Sequence, residues 1–242
     1  AHMSFSSEVK EELSEQIASG RHCRLAETAA ILSLCGKIVI TENDRYCVKI
    51  QTENLAVARK YFTLLRKTFN IEMNVSTRQS RNPRGSLSYE VTSFGGLEPV
   101  KHMLVQNQCC RRAYIRGAFL ASGSLSDPEK GYHFEIVCSG EEKADELREM
   151  LASFGIDARI TLRKRSYVLY VKEGSQIADL LNVMEAHVAL MKFENVRILK
   201  EMRNSVNRQV NCETANLNKT VSAAVKQIED IQFIQRTIGF DE

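Results

Sequence analysis

The chain has 242 residues, 43% of them hydrophobic, enough to bury a core in one large domain or two small ones. Its formal net charge is only +3, from 33 basic and 30 acidic residues, so bulk electrostatics do not predict nucleic-acid binding and any DNA contact must be local. No apolar run approaches the ~20 residues that a membrane helix needs, and Ala1-His2-Met3 reads as a tag remnant rather than a signal peptide, so a reduced cytoplasmic protein is expected.

In chain order, Phe5, Val9, Leu13 and Ile17 recur every fourth residue and predict an amphipathic helix, with Ser6 and Ser7 as capping candidates and an end at Ser19-Gly20. Beyond residue 22 the chain states one pattern twice. A small-residue helix ends in glycine in each half (Leu25 to Gly36, Arg112 to Gly123), and the two glycines are 87 residues apart. A strand opening at Tyr46 is answered by one opening at Tyr132, each with alternating apolar residues. Charged amphipathic helices follow, from Glu53 to Phe69 and from Glu141 to Phe154, stopping at Asn70 and Gly155, residue types that accept the left-handed helix end. Paired strands come next (from Ile71 with Leu87 to Thr92, and from Ile156 with Ser166 to Lys172), and a third helix closes each half, around Leu97 to Val105 and Gln176 to Met184. The expected class is therefore α+β, two pseudo-symmetric αββαββα repeats over 23–108 and 109–187. Helices on one face of each sheet leave the other face open, a saddle suited to a duplex. After them, 188–220 reads as a basic helix and an asparagine-rich linker or extended arm, and 221–242 as helix again.

The segment Ile115-Arg116-Gly117-Ala118-Phe119-Leu120-Ala121-Ser122-Gly123-Ser124 resembles the LAGLIDADG motif of homing endonucleases, and Thr28-Ala29-Ala30-Ile31-Leu32-Ser33-Leu34-Cys35-Gly36 is a weaker copy. Ala29, Ala30, Gly117, Ala118 and Ala121 would let two crossing helices approach closely, and the terminal glycine would permit a sharp exit into a strand. Cys110-Arg111-Arg112-Ala113-Tyr114, the run Ser126 to His133 and the run Asn207 to Asn216 are similar to the WhiA family. That resemblance implies a DNA-binding regulator of sporulation, cell division and chromosome segregation in Gram-positive bacteria. It also implies a LAGLIDADG-like domain followed by a helix-turn-helix. The module itself is expected to be missing here, with only its approach, residues 221–240, present.

In LAGLIDADG nucleases the acid just before each glycine helps to hold divalent metal, and the corresponding positions here are Cys35 and Ser122. A neutral thiol and a hydroxyl are poor ligands for a hard cation, so hydrolysis is expected to be absent. Asp127, in Ser-Asp-Pro, reads as a turn residue. None of the five histidines falls in HExxH spacing, no phosphate loop or nucleophile elbow is present, and Gly95-Gly96 reads as a turn, so no cofactor and no catalytic residue is expected. The seven cysteines are odd in number and include no CxxC pair. His22 and Cys23 with Cys35 and Cys47 fit no zinc-finger spacing, and no metal is expected. Cys109-Cys110 beside Arg111 and Arg112 could lower a thiol pKa, but buried or merely adjacent thiols are commoner.

The DNA-binding candidates are polar residues that alternate with core-facing ones. In the second half Ile156, Ala158, Ile160 and Leu162 should face inward and Arg159, Thr161 and Arg163 outward, with Lys164 and Arg165 at the turn. The first half offers Asn74, Ser76 and Arg78, with Arg81 and Arg84 on the hairpin loop; Glu72, Glu90 and Asp157 dilute the field. Three functions remain open: a regulator that contacts double-stranded DNA, a working or nicking endonuclease, and a domain that binds only another, regulatory, protein.

Overall fold

The structure, a computed structural model, describes residues 3–40, 46–69, 71–79, 87–94 and 105–238. The helix expected around Leu97 to Val105 falls outside these residues except for its last position, and Asn70, Arg81, Arg84, Gly95 and Gly96 lie outside them altogether. The chain divides into two compact units, Ala1–Glu194 and Asn195–Glu242.

The first unit opens with α1 (Phe5–Glu15), whose Phe5, Val9 and Leu13 are buried. Its cap is Ser4, not Ser6 or Ser7: the Ser4 hydroxyl accepts the Ser7 amide at 3.2 Å and satisfies one of the amides that the first turn leaves free. Ser6 instead accepts the Leu125 amide at 3.2 Å and ties α1 to the second repeat.

Among the described residues the elements of both repeats follow the expected order. In the first, α2 (Arg21–Cys35) leads into β1 (Gly36–Ile40) and β2 (Tyr46–Thr52), then α3 (Leu55–Phe69), β3 (Glu72–Gln79) and β4 (Leu87–Phe94). In the second, α4 (Gln108–Ser122) leads into β5 (Gly123–Leu125) and β6 (Phe134–Cys138), then α5 (Glu141–Ala152), β7 (Arg159–Arg163), β8 (Ser166–Val171) and α6 (Gly174–Val183). Both sheets are antiparallel and their orders match, β1-β2-β4-β3 and β5-β6-β8-β7. Two chain segments with one topology at a near-constant offset are a structural duplication.

The duplication meets at α2 and α4, and Gly117 shows how tightly. A β-carbon there would lie 2.4 Å from the Glu27 carbonyl oxygen and 3.0 Å from the Ala30 methyl, so only glycine admits the backbone of the facing helix. The glycines that end these helices permit the exit into the strands through their small size, not through a left-handed backbone. Gly36 and Gly123 have ordinary extended backbones (φ −77° and −84°), and a β-carbon would strike the preceding turn, 2.5 Å from Leu32 O and 2.7 Å from Phe119 O. They are needed for room, whereas Gly155, with φ +77°, does supply the left-handed end of α5.

One buried cluster joins α1, α4, α5, α6 and the second sheet through Phe119, Phe134, Ile136, Leu147, Leu169 and Leu181, and a second lies under the first sheet around Ile31, Ile50, Tyr61, Leu65 and Val91. The stretch 204–220, expected as a linker or arm, is instead helical within α7 (His187–Ile238). Asparagine is a poor helix former, but its cost is under about 1 kcal/mol per residue. No glycine or proline interrupts 187–238, and Gln209 with Glu213 supplies an i,i+4 contact at 3.1 Å. Among the described residues no helix is long and apolar enough to cross a membrane.

Candidate nucleic-acid interface

The ends of α2 and α4 that run into the sheets carry no carboxylate. Cys35 donates its thiol to the Ile31 carbonyl at 3.2 Å and Ser122 donates its hydroxyl to the Val137 carbonyl at 2.8 Å, so both side chains are turned back into the fold. Burial pushes the Cys35 thiol up to about 11, with Lys10 opposing, and the same burial pulls the Lys10 ammonium down to about 8. Lys10 Nζ also lies 5.5 Å from the centre of the Phe119 ring. A thiol held neutral beside an ammonium is the reverse of a divalent-cation site. Among the described residues no group of three metal-ligating side chains gathers at these tips. Asp127 accepts the Glu129 amide at 3.0 Å and its carbonyl accepts those of Lys130 and Gly131, so it shapes the turn before β6.

Strand register assigns the open face of the second sheet. Arg159 pairs with Tyr170, which pairs with Glu135, and Arg163 pairs with Ser166; these residues lie opposite the face that buries Ile136 and Leu169. Arg159 and Arg163 are exposed, and Lys164 and Arg165 form the two-residue turn, with Lys164 at φ +58°. Ile156 and Ala158 are buried and Ile160 is half-buried, but Leu162, also expected to face inward, is 62% exposed. It sits on an edge strand beyond the part of β7 that packs against the core. In the first sheet, Asn74, Ser76 and Arg78 are exposed on β3, in register with Thr92, Glu90 and Ser88.

The open faces are not uniformly positive. Arg163 holds Glu135 through two contacts, Nη1 to Oε1 at 3.3 Å and Nη2 to Oε2 at 3.1 Å, while His133 lies 2.9 Å from the same carboxylate. Partial burial raises the Glu135 pKa, but hydrogen bonds from His133 and Arg163 outweigh it and hold the group below the ordinary carboxylate value. At the matching place in the first sheet, Lys49 bonds Glu90 at 3.1 Å. The cations most free to meet phosphate are therefore Arg159, Lys164, Arg165 and Arg78, none of which forms an ion pair with an acidic side chain among the described residues.

Two constellations escaped the sequence reading. Glu27, fully buried in α2, takes Lys60 Nζ at 3.0 Å and Arg116 Nε at 3.1 Å, and Arg116 also reaches Glu185 at 2.8 Å. Lys60 donates in addition to the carbonyls of Leu13 and Gln16. The other is His22, Cys23, Cys109 and Cys110, gathered where α2 and α4 begin. The set imagined from sequence, with Cys35 and Cys47, does not form: Cys35 is at the far end of the same helix, about 20 Å along it at 1.5 Å per residue. Burial first, and then the neighbouring Cys109, pushes the Cys110 thiol up, opposite to the shift that a cysteine nucleophile needs.

Two crossed small-residue helices over a pair of antiparallel four-stranded sheets define a protein of the LAGLIDADG-like class. Residues 21–100 match the family model of the WhiA N-terminal LAGLIDADG-like domain, 111–203 that of the WhiA LAGLIDADG-like domain and 206–242 that of the WhiA C-terminal HTH domain. The chain belongs to the WhiA family. The third match corrects the expectation that the helix-turn-helix is missing, and its described part, up to residue 238, lies within α7. Similar relatives are the probable cell division protein WhiA of Lachnoclostridium phytofermentans, 55% identical over 99% of this chain and 83% of that protein, and of Alkaliphilus oremlandii, 47% identical over 98% and 81%. Among solved structures, full-length DUF199/WhiA from Thermatoga maritima shares the fold with a TM-score of 0.76 at 22% identity, covering 98% of this chain and 81% of that one. A variant of the homing endonuclease I-DmoI, solved with its target DNA, also shares the fold, with a TM-score of 0.51 at 14% identity over 70% of this chain and 97% of that one.

Proposed function

We propose that this chain is a DNA-binding transcription regulator of cell division, sporulation and chromosome segregation, built on a nuclease scaffold that has lost its chemistry. The repeats, taken as 23–108 and 109–187, form the scaffold, and the helix-turn-helix region reads sequence. The protein would act in the cytoplasm at the nucleoid. The observation that carries the reading is the pair of neutral side chains, Cys35 and Ser122, hydrogen-bonded to carbonyls where a nuclease needs carboxylates, in a chain that also matches a helix-turn-helix family. Without those acids nothing there would gather Mg²⁺, activate water or neutralise charge at a phosphate. The open sheets remain a second DNA surface, through Arg78, Arg159, Arg163, Lys164 and Arg165. Arg81 and Arg84, outside the described residues, would extend it on the first-half hairpin.

A second reading, in which the domain docks another regulatory protein, is favoured by the pairing of Arg163 with Glu135 and of Lys49 with Glu90, which weakens the field that phosphates would meet. Two measurements separate these readings from each other and from an endonuclease. Plasmid incubated with the chain and Mg²⁺ or Mn²⁺ should stay supercoiled; nicks that track with the purified protein would restore the enzyme. Affinity for duplex DNA should fall steeply across a salt series, because phosphate contacts release counterions. A flat or absent response would leave protein docking.

A further inference from the structure

We infer that His22, Cys23, Cys109 and Cys110 form a closed four-ligand site for a thiophilic divalent metal, zinc by its ligand chemistry, that ties the two repeats together. The four ligand atoms lie within 4.8 Å of one another. His22 Nδ1 is 3.3 Å from Cys23 Sγ, 3.2 Å from Cys110 Sγ and 4.0 Å from Cys109 Sγ. With Zn–S near 2.3 Å and Zn–N near 2.0 Å, a tetrahedral centre has edges of about 3.5–3.8 Å, so the cluster needs only small side-chain rotations to close around an ion. Three thiols and one imidazole are a set that structural zinc sites use, and the absence of carboxylates disfavours Mg²⁺ or Ca²⁺.

The placement is informative for a second reason. His22 and Cys23 stand 87 residues before Cys109 and Cys110, the same offset that relates Gly36 to Gly123, so each repeat contributes its equivalent pair of positions. Those pairs occupy the second and third positions of α2 and α4, so the site lies across the pseudo-twofold axis. Two helix N-termini meet there, and their unpaired amides favour the negative charge that three thiolates bring. Cys110 is buried and forms the floor with Cys23, while His22 and Cys109 are exposed, which leaves an entry path for the ion. A ligand set contributed by both halves would clamp the helices at the ends opposite Cys35 and Ser122. The filled tetrahedron has no open position, so the role is structural rather than catalytic.

The test uses the whole chain, reduced with a phosphine, stripped by chelation and titrated with Co²⁺ and then Zn²⁺. We expect one equivalent of cobalt to give the visible bands of a tetrahedral centre with a thiolate charge-transfer band, and zinc to displace it. Zinc at about 100 times its Kd should raise the thermal midpoint by roughly 5–10 °C. Because His22 and Cys109 are exposed, His22→Asn and Cys109→Ser should fold normally and yet weaken binding by about 100-fold or more, whereas Cys212→Ser should leave it unchanged. Failure to saturate at one equivalent, or equal affinity in His22→Asn and Cys109→Ser, would overturn the site. So would a Cys23–Cys110 disulfide in a chain that takes up no cobalt once reduced.

Discussion

Gly117 and Glu27 face each other across the α2–α4 crossing, and each is irreplaceable for a different reason. Any side chain at Gly117 must enter the space of the Glu27 carbonyl, so Gly117→Val should destabilise the fold by about 2–4 kcal/mol, read from the urea midpoint. Glu27 is a fully buried anion between two cations, and Glu27→Ala would leave Lys60 buried without its counter-charge and Arg116 with Glu185 alone. The expected cost is about 3–5 kcal/mol; a loss under about 0.5 kcal/mol would mean that water reaches the pair. Small residues at the crossing were readable because their size alone limits how helices pack. The role of Glu27 was not, because its partners are 33 and 89 residues away and nothing in its local pattern sets it apart from a solvated helix glutamate.

Helix ends and hairpins carry the next set of consequences. Glu12 of α1 accepts the amides of Val188 at 2.8 Å and Ala189 at 2.9 Å, capping the start of α7 from another helix. Glu12→Ala should therefore lower stability by about 1–2 kcal/mol, more than a loss of surface charge would, and Glu12→Gln should recover part of it. On the β7–β8 hairpin, Arg163→Ala with Arg165→Ala should reduce any DNA affinity several-fold with an unchanged melting temperature. Glu135→Gln, which releases Arg163, should raise it. The sign for pH is the same. The folded carboxyl sits below its ordinary value, so the Glu135 contact is present above that ordinary value and is lost as pH falls through the lowered one, freeing Arg163 in acid. Equal binding by all of these variants in a filter or anisotropy assay would remove the second sheet from the DNA surface. The helical course of 204–220 belongs to this scale too: asparagine content argued for a linker, but weak helix formers without a breaker do not stop a helix that strong formers flank.

For the whole molecule, the duplication carries one geometry through both halves. Both halves share the strand order and the glycine at the helix tip, and the side chains at the tips are a thiol and a hydroxyl. If the scaffold contributes phosphate contacts beside the helix-turn-helix region, the plot of log affinity against log salt for the intact chain should flatten by about 1 in the Arg163→Ala, Arg165→Ala variant, since Arg165 is free and Arg163 is held by Glu135. No change in slope would assign all phosphate contacts elsewhere.

The sequence by itself determined the repeat, the strand pairing, the closely packed helices and the missing carboxylates, because each is written in local periodicity, residue size or the identity of one position. It also carried the family, through runs spread along nearly the whole chain. Tertiary structure alone decided the buried Glu27–Lys60–Arg116 network, the pairing of Arg163 with Glu135, the exposure of Leu162 at a sheet edge and the gathering of His22 and Cys23 with Cys109 and Cys110. The physical reason is common to these: charges, sulfurs and edges act over a few ångströms in space, and only the packing of one repeat on the other brings residues so distant in the chain within that reach.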